Sequence, residues 1–197
     1  MRKKDVLWRE ILFQARQNKK ITFTQKELAK SFGFSLSTVF NALKVPREAS
    51  IITVSGRNFR LESYEKLLYL WASHRVMRKD IFFQEYVEQD AKKIESLMPP
   101  FVEFGLYSAF SSLHQPSPAD YDHVYVYMED ARAPEVLTRL PLIEKGKMAP
   151  NLFFIKKDPW WTRYGKLLPE QLFVDIWNAP EWYAKDFLKV LAQQLFL

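Results

Sequence analysis

The sequence contains no cysteine, only three histidines and only five glycines among its 197 residues. Without cysteine the chain can form neither a disulfide framework nor a cysteine-ligated zinc or iron–sulfur site. The histidines, His74, His114 and His123, are scattered and lack the spacing of metal ligands. We therefore expect a protein with no metal site and no cofactor.

Long hydrophobic runs are also missing. No apolar stretch approaches the roughly 18–20 residues that span a bilayer, and the N-terminal segment lacks the features of a signal peptide. The sequence therefore predicts a cytoplasmic protein with no membrane partner. Its hydrophobic fraction of 48% and aromatic fraction of 16% indicate folded structure throughout, and 197 residues suffice for two small domains.

Charge is unevenly distributed along the chain. Residues 1–79 contain 17 Lys/Arg and 6 Asp/Glu, a net charge of +11, whereas residues 80–197 contain 12 and 17, a net charge of −5. A basic segment favours a polyanionic partner, because each phosphate contact releases condensed counterions. We predict one domain over 1–79 and another over 80–197. A solvated basic face is the alternative, but it does not explain why the charge changes sign where the motifs described next end.

The stretch from Thr24 to Lys44 predicts two short helices joined by a sharp turn. Thr24 with Glu27 is typical of a capping box, Gly33 supplies a positive φ, and Ser35 caps the second helix. The apolar residues of that helix are expected to face the core: Leu36, Val39, Phe40 and Leu43. Its polar residues would then face outward: Ser37, Thr38, Asn41 and Lys44. A plain helical hairpin is the alternative interpretation.

A β-hairpin is predicted after Pro46, with strands over Ile51–Val54 and Asn58–Leu61 and a turn at Ser55-Gly56-Arg57-Asn58. A helix over Asp5–Asn18 and a short strand at Ile21–Phe23 precede the capped helices. Helix, helix-turn-helix and hairpin in this order resemble the winged-helix DNA-binding domains. The resemblance implies binding of double-stranded DNA, although winged helices also bind RNA. The implied contact residues are Ser35, Ser37, Thr38, Asn41, Lys44, Arg57 and Arg60, the two arginines lying near the hairpin tip.

The second half mixes predicted strands and helices, which indicates an α+β domain with a small mixed sheet. A helix that opens at Glu62 or Ser63 joins the two domains or dimerises them. The predicted strands are Ile81–Val87, His123–Met128 and Asn151–Ile155. The predicted helices are Gln89–Met98, Phe101–Leu113 with Gly105 inside it, Ala133–Leu140, Glu170–Asn178 and a last helix that Pro180 starts.

One group of residues in the second half suggests a catalytic site. The segment Phe104–Ser108, followed by Asp120-Tyr121-Asp122, loosely resembles the nucleotidyltransferase signature, in which a glycine-serine turn holds the triphosphate and paired aspartates hold magnesium. Here the glycine and serine are not adjacent, and no third carboxylate is clearly placed. We therefore predict that Asp120 and Asp122 are not catalytic and that the protein is not an enzyme. A nucleotidyltransferase targeted by its winged helix is the alternative.

The chain as a whole resembles the AbiEi-type antitoxins. The resemblance rests on the N-terminal winged helix, the helix Gly105–Leu113, the strand Val124–Met128 and the segment Leu168–Asn178. It implies a repressor of its own operon, a nucleotidyltransferase toxin as partner, and a second domain with a degenerate nucleotidyltransferase-like fold. A homodimer is a further expectation, since helix-turn-helix proteins commonly bind paired half-sites. Within the last segment, Asp175 and Trp177 are interpreted as packing residues.

Overall fold

A computed structural model describes residues 1–141 and 148–196 of the chain. Within these residues it contains nine α-helices and two β-sheets, so the protein is α+β, as the sequence predicts. The chain divides into two compact units, Met1–Arg75 and Val76–Leu195, so the first unit ends slightly before the predicted boundary at Lys79. Among the described residues, no helix combines the length and the apolar character needed to cross a membrane.

The first unit combines helices with a three-stranded sheet. Its elements are α1 (Lys3–Asn18), β1 (Thr22–Thr24), α2 (Gln25–Phe32), α3 (Leu36–Glu48), β2 (Ile52–Ser55), β3 (Asn58–Leu61) and α4 (Tyr64–His74). The strands are antiparallel in the order β1-β3-β2, so the short strand pairs with the hairpin. Phe23 of β1 stacks on Phe59 of β3 at 5.5 Å and joins the sheet to the core.

The turn between α2 and α3 is built by the three residues that the sequence singled out. The Thr24 hydroxyl accepts a hydrogen bond from the Glu27 N–H at 3.0 Å, and the Ser35 hydroxyl accepts one from the Thr38 N–H at 3.2 Å. Gly33 ends α2 at φ +66°, a conformation that a residue with a Cβ adopts only at a cost. The Glu27 carboxylate lies 2.9 Å from Lys20 Nζ, so only the threonine half of the predicted capping box forms.

Helix α3 continues through Pro46 to Glu48, beyond the predicted end of the motif at Lys44. Proline has no N–H, so Pro46 cannot donate to the carbonyl of Ala42 four residues before it. The donor comes from α1, where Trp8 Nε1 lies 2.9 Å from the Ala42 oxygen in a buried contact. The side chain of Trp8 therefore satisfies the carbonyl that the proline leaves open and fixes α3 against α1.

The buried face of α3 differs from the prediction. It consists of Val39, Ala42, Leu43 and Pro46. Leu36 and Phe40 were expected in the core, yet they are 56% and 45% exposed, so that prediction is wrong. At about 100° per residue, including Pro46 moves the centre of the buried face toward Ala42 and leaves Leu36 and Phe40 on its edge.

Helix α4 was expected to join the domains, but it belongs to the first unit. Ser63 caps it through the Lys66 N–H at 3.2 Å. Its buried residues are Leu67, Leu68, Trp71 and Ala72, and it packs against α1. The broad apolar face that suggested a linker or a dimer contact is therefore part of a core.

The second unit is arranged around a four-stranded mixed sheet. Its elements are β4 (Ile81–Glu85), α5 (Ala91–Leu97), β5 (Glu103–Phe104), α6 (Leu106–Leu113), β6 (Val124–Met128), α7 (Ala133–Leu137), β7 (Leu152–Lys156), α8 (Pro169–Trp177) and α9 (Ala184–Phe196). The strand order is β4-β7-β6-β5. Strands β6 and β7 are parallel and the other two pairs antiparallel, which confirms the mixed sheet.

Two predicted helices in this unit have different starts. The segment 101–113 is not one helix, because Glu103 and Phe104 pair with β6 and Gly105 is the N-cap of α6. A Cβ on Gly105 would lie 3.2 Å from the Tyr127 ring, a tight contact that the ring could admit only by shifting a few tenths of an ångström, so glycine suits the close approach of strand and cap. The last helix begins at Ala184 rather than at Pro180.

We predict that Trp8→Phe destabilises the protein by about 1–3 kcal/mol, because the Ala42 carbonyl then stays buried without a donor. Urea unfolding followed by circular dichroism measures the loss. In a Pro46→Ala background residue 46 regains an N–H, so Trp8→Phe should cost at least about 1 kcal/mol less there. Equal losses in both backgrounds would contradict this account of the contact.

Candidate nucleic-acid interface

The predicted contact residues of α3 do lie on one exposed face. Ser37, Asn41 and Lys44 are exposed, and their spacing places them within about two turns on the same side of the helix. Thr38 is half-buried at the border of this face. An amide, a hydroxyl and an ammonium group are therefore presented together, and all three can donate hydrogen bonds to base edges or phosphates.

Ser35 has a structural role in addition to the predicted contact. Its hydroxyl accepts the Thr38 N–H and lies 3.0 Å from Ser37 Oγ and 2.9 Å from Thr38 Oγ1. The three hydroxyls therefore form one small hydrogen-bonded group at the N-terminus of α3. Because Ser35 caps the helix, any change at this position alters the helix start as well as the exposed face.

The hairpin places one of its two arginines as predicted. Gly56 and Arg57 form a two-residue turn between β2 and β3, with Gly56 at φ +58°, and Arg57 is exposed at the tip. Arg60 lies farther along β3, in register with Thr22 and Thr53 of the flanking strands. It is exposed, and its Nε lies 3.9 Å from Glu62 Oε2. Only Arg57 therefore has the tip position that the sequence suggested for both.

The exposed face of α3 also contains two apolar side chains that were predicted to lie in the core. Leu36 and Phe40 lie one helical turn apart beside Ser37 and Asn41. The guanidinium carbon of Arg47 lies 4.9 Å from the centre of the Phe40 ring, a cation–π arrangement. The signal that could have shown their exposure is Pro46, which belongs to the buried face only if the helix continues past Lys44.

The first unit is strongly basic. Residues 1–75 contain 15 Lys/Arg and 6 Asp/Glu, a net charge of +9. The contact residue Lys44 has one weak acidic neighbour, since its Nζ lies 4.0 Å from Glu48 Oε1 and both side chains are largely exposed. Such an exposed pair is worth little, so Lys44 remains available to another anion.

The residues of the nucleotidyltransferase-like signature lie in the second unit. Gly105 caps α6, and Ser108 is buried three residues later. Asp120 is exposed in the loop before β6. Asp122 is 77% exposed, and its Oδ1 accepts a hydrogen bond from the Tyr183 hydroxyl at 2.8 Å and lies 2.5 Å from His123 Nδ1. The structure therefore places Asp122 against two side chains, those of Tyr183 and His123.

The pKa of the Asp122 carboxyl reflects opposing effects. Partial burial disfavours the charged form, but the hydrogen bonds from Tyr183 and His123 outweigh it, and the pKa is lowered. Among the described residues, no group of three or more His, Asp or Glu side chains is arranged to hold a metal ion. The absence of catalysis at Asp120 and Asp122 stays a prediction.

A buried carboxylate explains the late start of the last helix. Glu181, whose side chain is 6% exposed, accepts hydrogen bonds from the hydroxyls of Tyr107 at 2.7 Å and Tyr125 at 2.6 Å. Burial raises the pKa of both tyrosines far above the usual value, and the Glu181 charge raises it further. The segment after Pro180 is therefore held to α6 and β6, and α9 starts only beyond it.

The segment Leu168–Asn178 contains α8. Asp175 is buried there and accepts hydrogen bonds from Tyr127 of β6 and, at 2.7 Å, from Gln171. It joins α8 to the sheet, which agrees with the packing interpretation. Trp177 is 46% exposed, so packing does not account for its whole side chain.

Comparison of the chain with protein-family models, with curated proteins and with solved structures found no match. The resemblance to winged-helix domains and to AbiEi-type antitoxins therefore remains an interpretation of the residues themselves.

We predict that Glu181→Ala lowers the free energy of unfolding by about 2–4 kcal/mol, since two buried tyrosine hydroxyls lose their acceptor. Glu135→Ala is the matched control, because Glu135 is exposed and pairs with Arg132 at 2.9 Å on the surface, where an ion pair contributes little. Urea unfolding compares the two variants. Similar losses for both would mean that the tyrosine–carboxylate contacts do not stabilise this unit.

Proposed function

We propose that the protein is a DNA-binding transcriptional regulator whose residues 1–79 bind double-stranded DNA as a winged helix-turn-helix domain. One observation carries the proposal: the capped turn at Gly33 leaves Ser37, Asn41 and Lys44 exposed together on α3, within a unit of net charge +9. A helix of this kind fits the major groove of B-form DNA, which is about 12 Å wide.

The residues of this face divide into two roles. The Asn41 amide has the donor and acceptor that pair with N7 and N6 of adenine, so it reads sequence. Lys44, in the C-terminal half of α3, and Arg57, at the hairpin tip, contact phosphates through their charge and hold the domain in register. Winged helices also occur on RNA, but the deep, narrow major groove of A-form RNA does not admit a helix, so binding should favour duplex DNA.

The second unit is proposed to act on a protein partner. Residues 80–197 have a net charge of −5, which disfavours contact with phosphate and favours a partner with basic surface. The role implied by the family resemblance is that of an AbiEi-like antitoxin, which represses its own operon and acts on a nucleotidyltransferase toxin. This role and the homodimer that paired half-sites require stay predictions.

We predict that Asn41→Ala weakens binding to a specific duplex by about 1–3 kcal/mol, whereas binding to random duplex changes little. The specific duplex is obtained by selection from a randomised library with the full-length chain. Fluorescence anisotropy gives both affinities at one salt concentration, and Asn18→Ala, which removes an exposed asparagine at the end of α1, is the control. Equal losses on the two duplexes would remove Asn41 from base reading.

We predict that Arg57→Ala weakens binding to all duplexes alike and reduces the slope of log K against log salt by up to about 1, because one phosphate contact is lost. Arg139→Ala removes an exposed arginine of the second unit and should leave the slope unchanged. Anisotropy titrations over a series of salt concentrations provide the slopes. A wild-type affinity that does not depend on salt would contradict the proposed function itself.

A further inference from the structure

The N-terminal half of α3 exposes two kinds of side chain in adjacent rows. Leu36 and Phe40 form an apolar row, 56% and 45% exposed, and Ser37 and Asn41 form a polar row beside it. Each row has i, i+4 spacing, and the two rows are about 100° apart around the helix axis. A ligand broad enough to cover both rows therefore contacts polar and apolar side chains together.

Residues 36–43 contain no arginine or lysine, the side chains that most often read guanine in the major groove. The cations of α3 lie in its C-terminal half, where Lys44 has Glu48 as a neighbour and Arg47 is stacked over Phe40. Asparagine pairs with adenine, and apolar side chains contact the 5-methyl group of thymine. Both rows therefore favour A·T base pairs.

A second copy of the chain is a poor occupant for this apolar row. Two exposed side chains cover far less than the roughly 1,200 Å² that a stable protein interface buries. The row also lies on a unit of net charge +9, so two such faces repel each other, whereas a phosphate backbone is attracted. Charge and size both favour DNA over a protein on this face.

We propose that Leu36 and Phe40 read thymine through its 5-methyl group, so that the bases contacted by α3 are A·T pairs. The proposal rests on the proposed function, since it names the bases that the same face selects. Asn41 would take adenine, and the apolar row would take the methyl groups of thymines on the pairs beside it.

The test begins with selection of duplexes from a random library by the full-length chain, which should enrich sites with a core of A·T pairs. Each thymine of the enriched core is then replaced by deoxyuridine, which removes only the methyl group. For the wild-type chain at least one replacement should weaken binding about fourfold, the effect of one buried methyl group. Phe40→Ala should lose the preference at the thymine that Phe40 contacts, whereas Phe40→Leu should retain it.

Phe82→Ala is the matched control, because Phe82 is a comparably exposed phenylalanine, at 37%, in the second unit. This variant should keep the full preference for thymine. Circular dichroism checks that each variant is folded. If Phe40→Ala fails to fold, the affinities of the wild-type chain for the thymine and deoxyuridine duplexes still test whether the methyl group is read.

The outcomes separate the inference from the function on which it rests. Enrichment of a specific site that the wild-type chain binds equally with thymine and with deoxyuridine overturns the inference and leaves DNA binding in place. No enrichment overturns the proposed function and the inference together. A change of oligomeric state in Phe40→Ala, measured by sedimentation, would assign the apolar row to a second copy of the chain and overturn the inference as well.

Discussion

The hydrogen bond from the Trp8 indole to the Ala42 carbonyl is the contact on which the arrangement of the first unit depends. Pro46 leaves this carbonyl without its usual helical donor, and an unsatisfied buried carbonyl costs about 1–3 kcal/mol. Because the donor comes from α1, the contact does more than complete a helix. It holds α3 against α1 with the side of Ala42 and Pro46 buried, and in this rotation Ser37 and Asn41 face outward with Leu36 and Phe40 beside them.

This dependence explains why the sequence predicted the turn between α2 and α3 but not the buried face of α3. The roles of Thr24, Gly33 and Ser35 follow from bonds to residues no more than four positions away, so each can be inferred from its own segment. The role of Pro46 depends on a tryptophan that lies 34 residues before Ala42 in the sequence. Periodicity over residues 36–43 predicted one buried face for α3, and Pro46, whose place in the helix depends on this distant partner, shifts that face. The exposed part of the candidate interface was therefore predicted for the polar residues and missed for the apolar ones.

In the second unit, too, the sequence predicted local structure but not the tertiary contacts that modify it. Alternating apolar residues located β6 and β7 to within one residue, since the pattern of a buried strand is local. Gly105 was predicted inside a helix because nothing near it in the sequence indicates Tyr127, whose ring would lie in tight contact with a Cβ at this position. Likewise Pro180 suggested a helix start, whereas Glu181 is held by two tyrosines from α6 and β6. In each case a tertiary contact overrides a correct local preference.

The stacking of Arg47 on Phe40 combines the two kinds of interaction that the proposed interface needs, electrostatic contact with phosphate and apolar contact with a base. A free phenylalanine side chain loses rotamer freedom when a ligand contacts it, and a ring already held by a guanidinium loses less. The same arrangement places the positive charge of Arg47 beside the apolar ring of Phe40. A duplex that brings a phosphate to the guanidinium therefore also brings a base edge close to the ring. Salt screens the first of these interactions and hardly affects the second. Affinity on α3 should therefore follow ionic strength, while discrimination between bases depends on the short-range contacts of Asn41, Leu36 and Phe40.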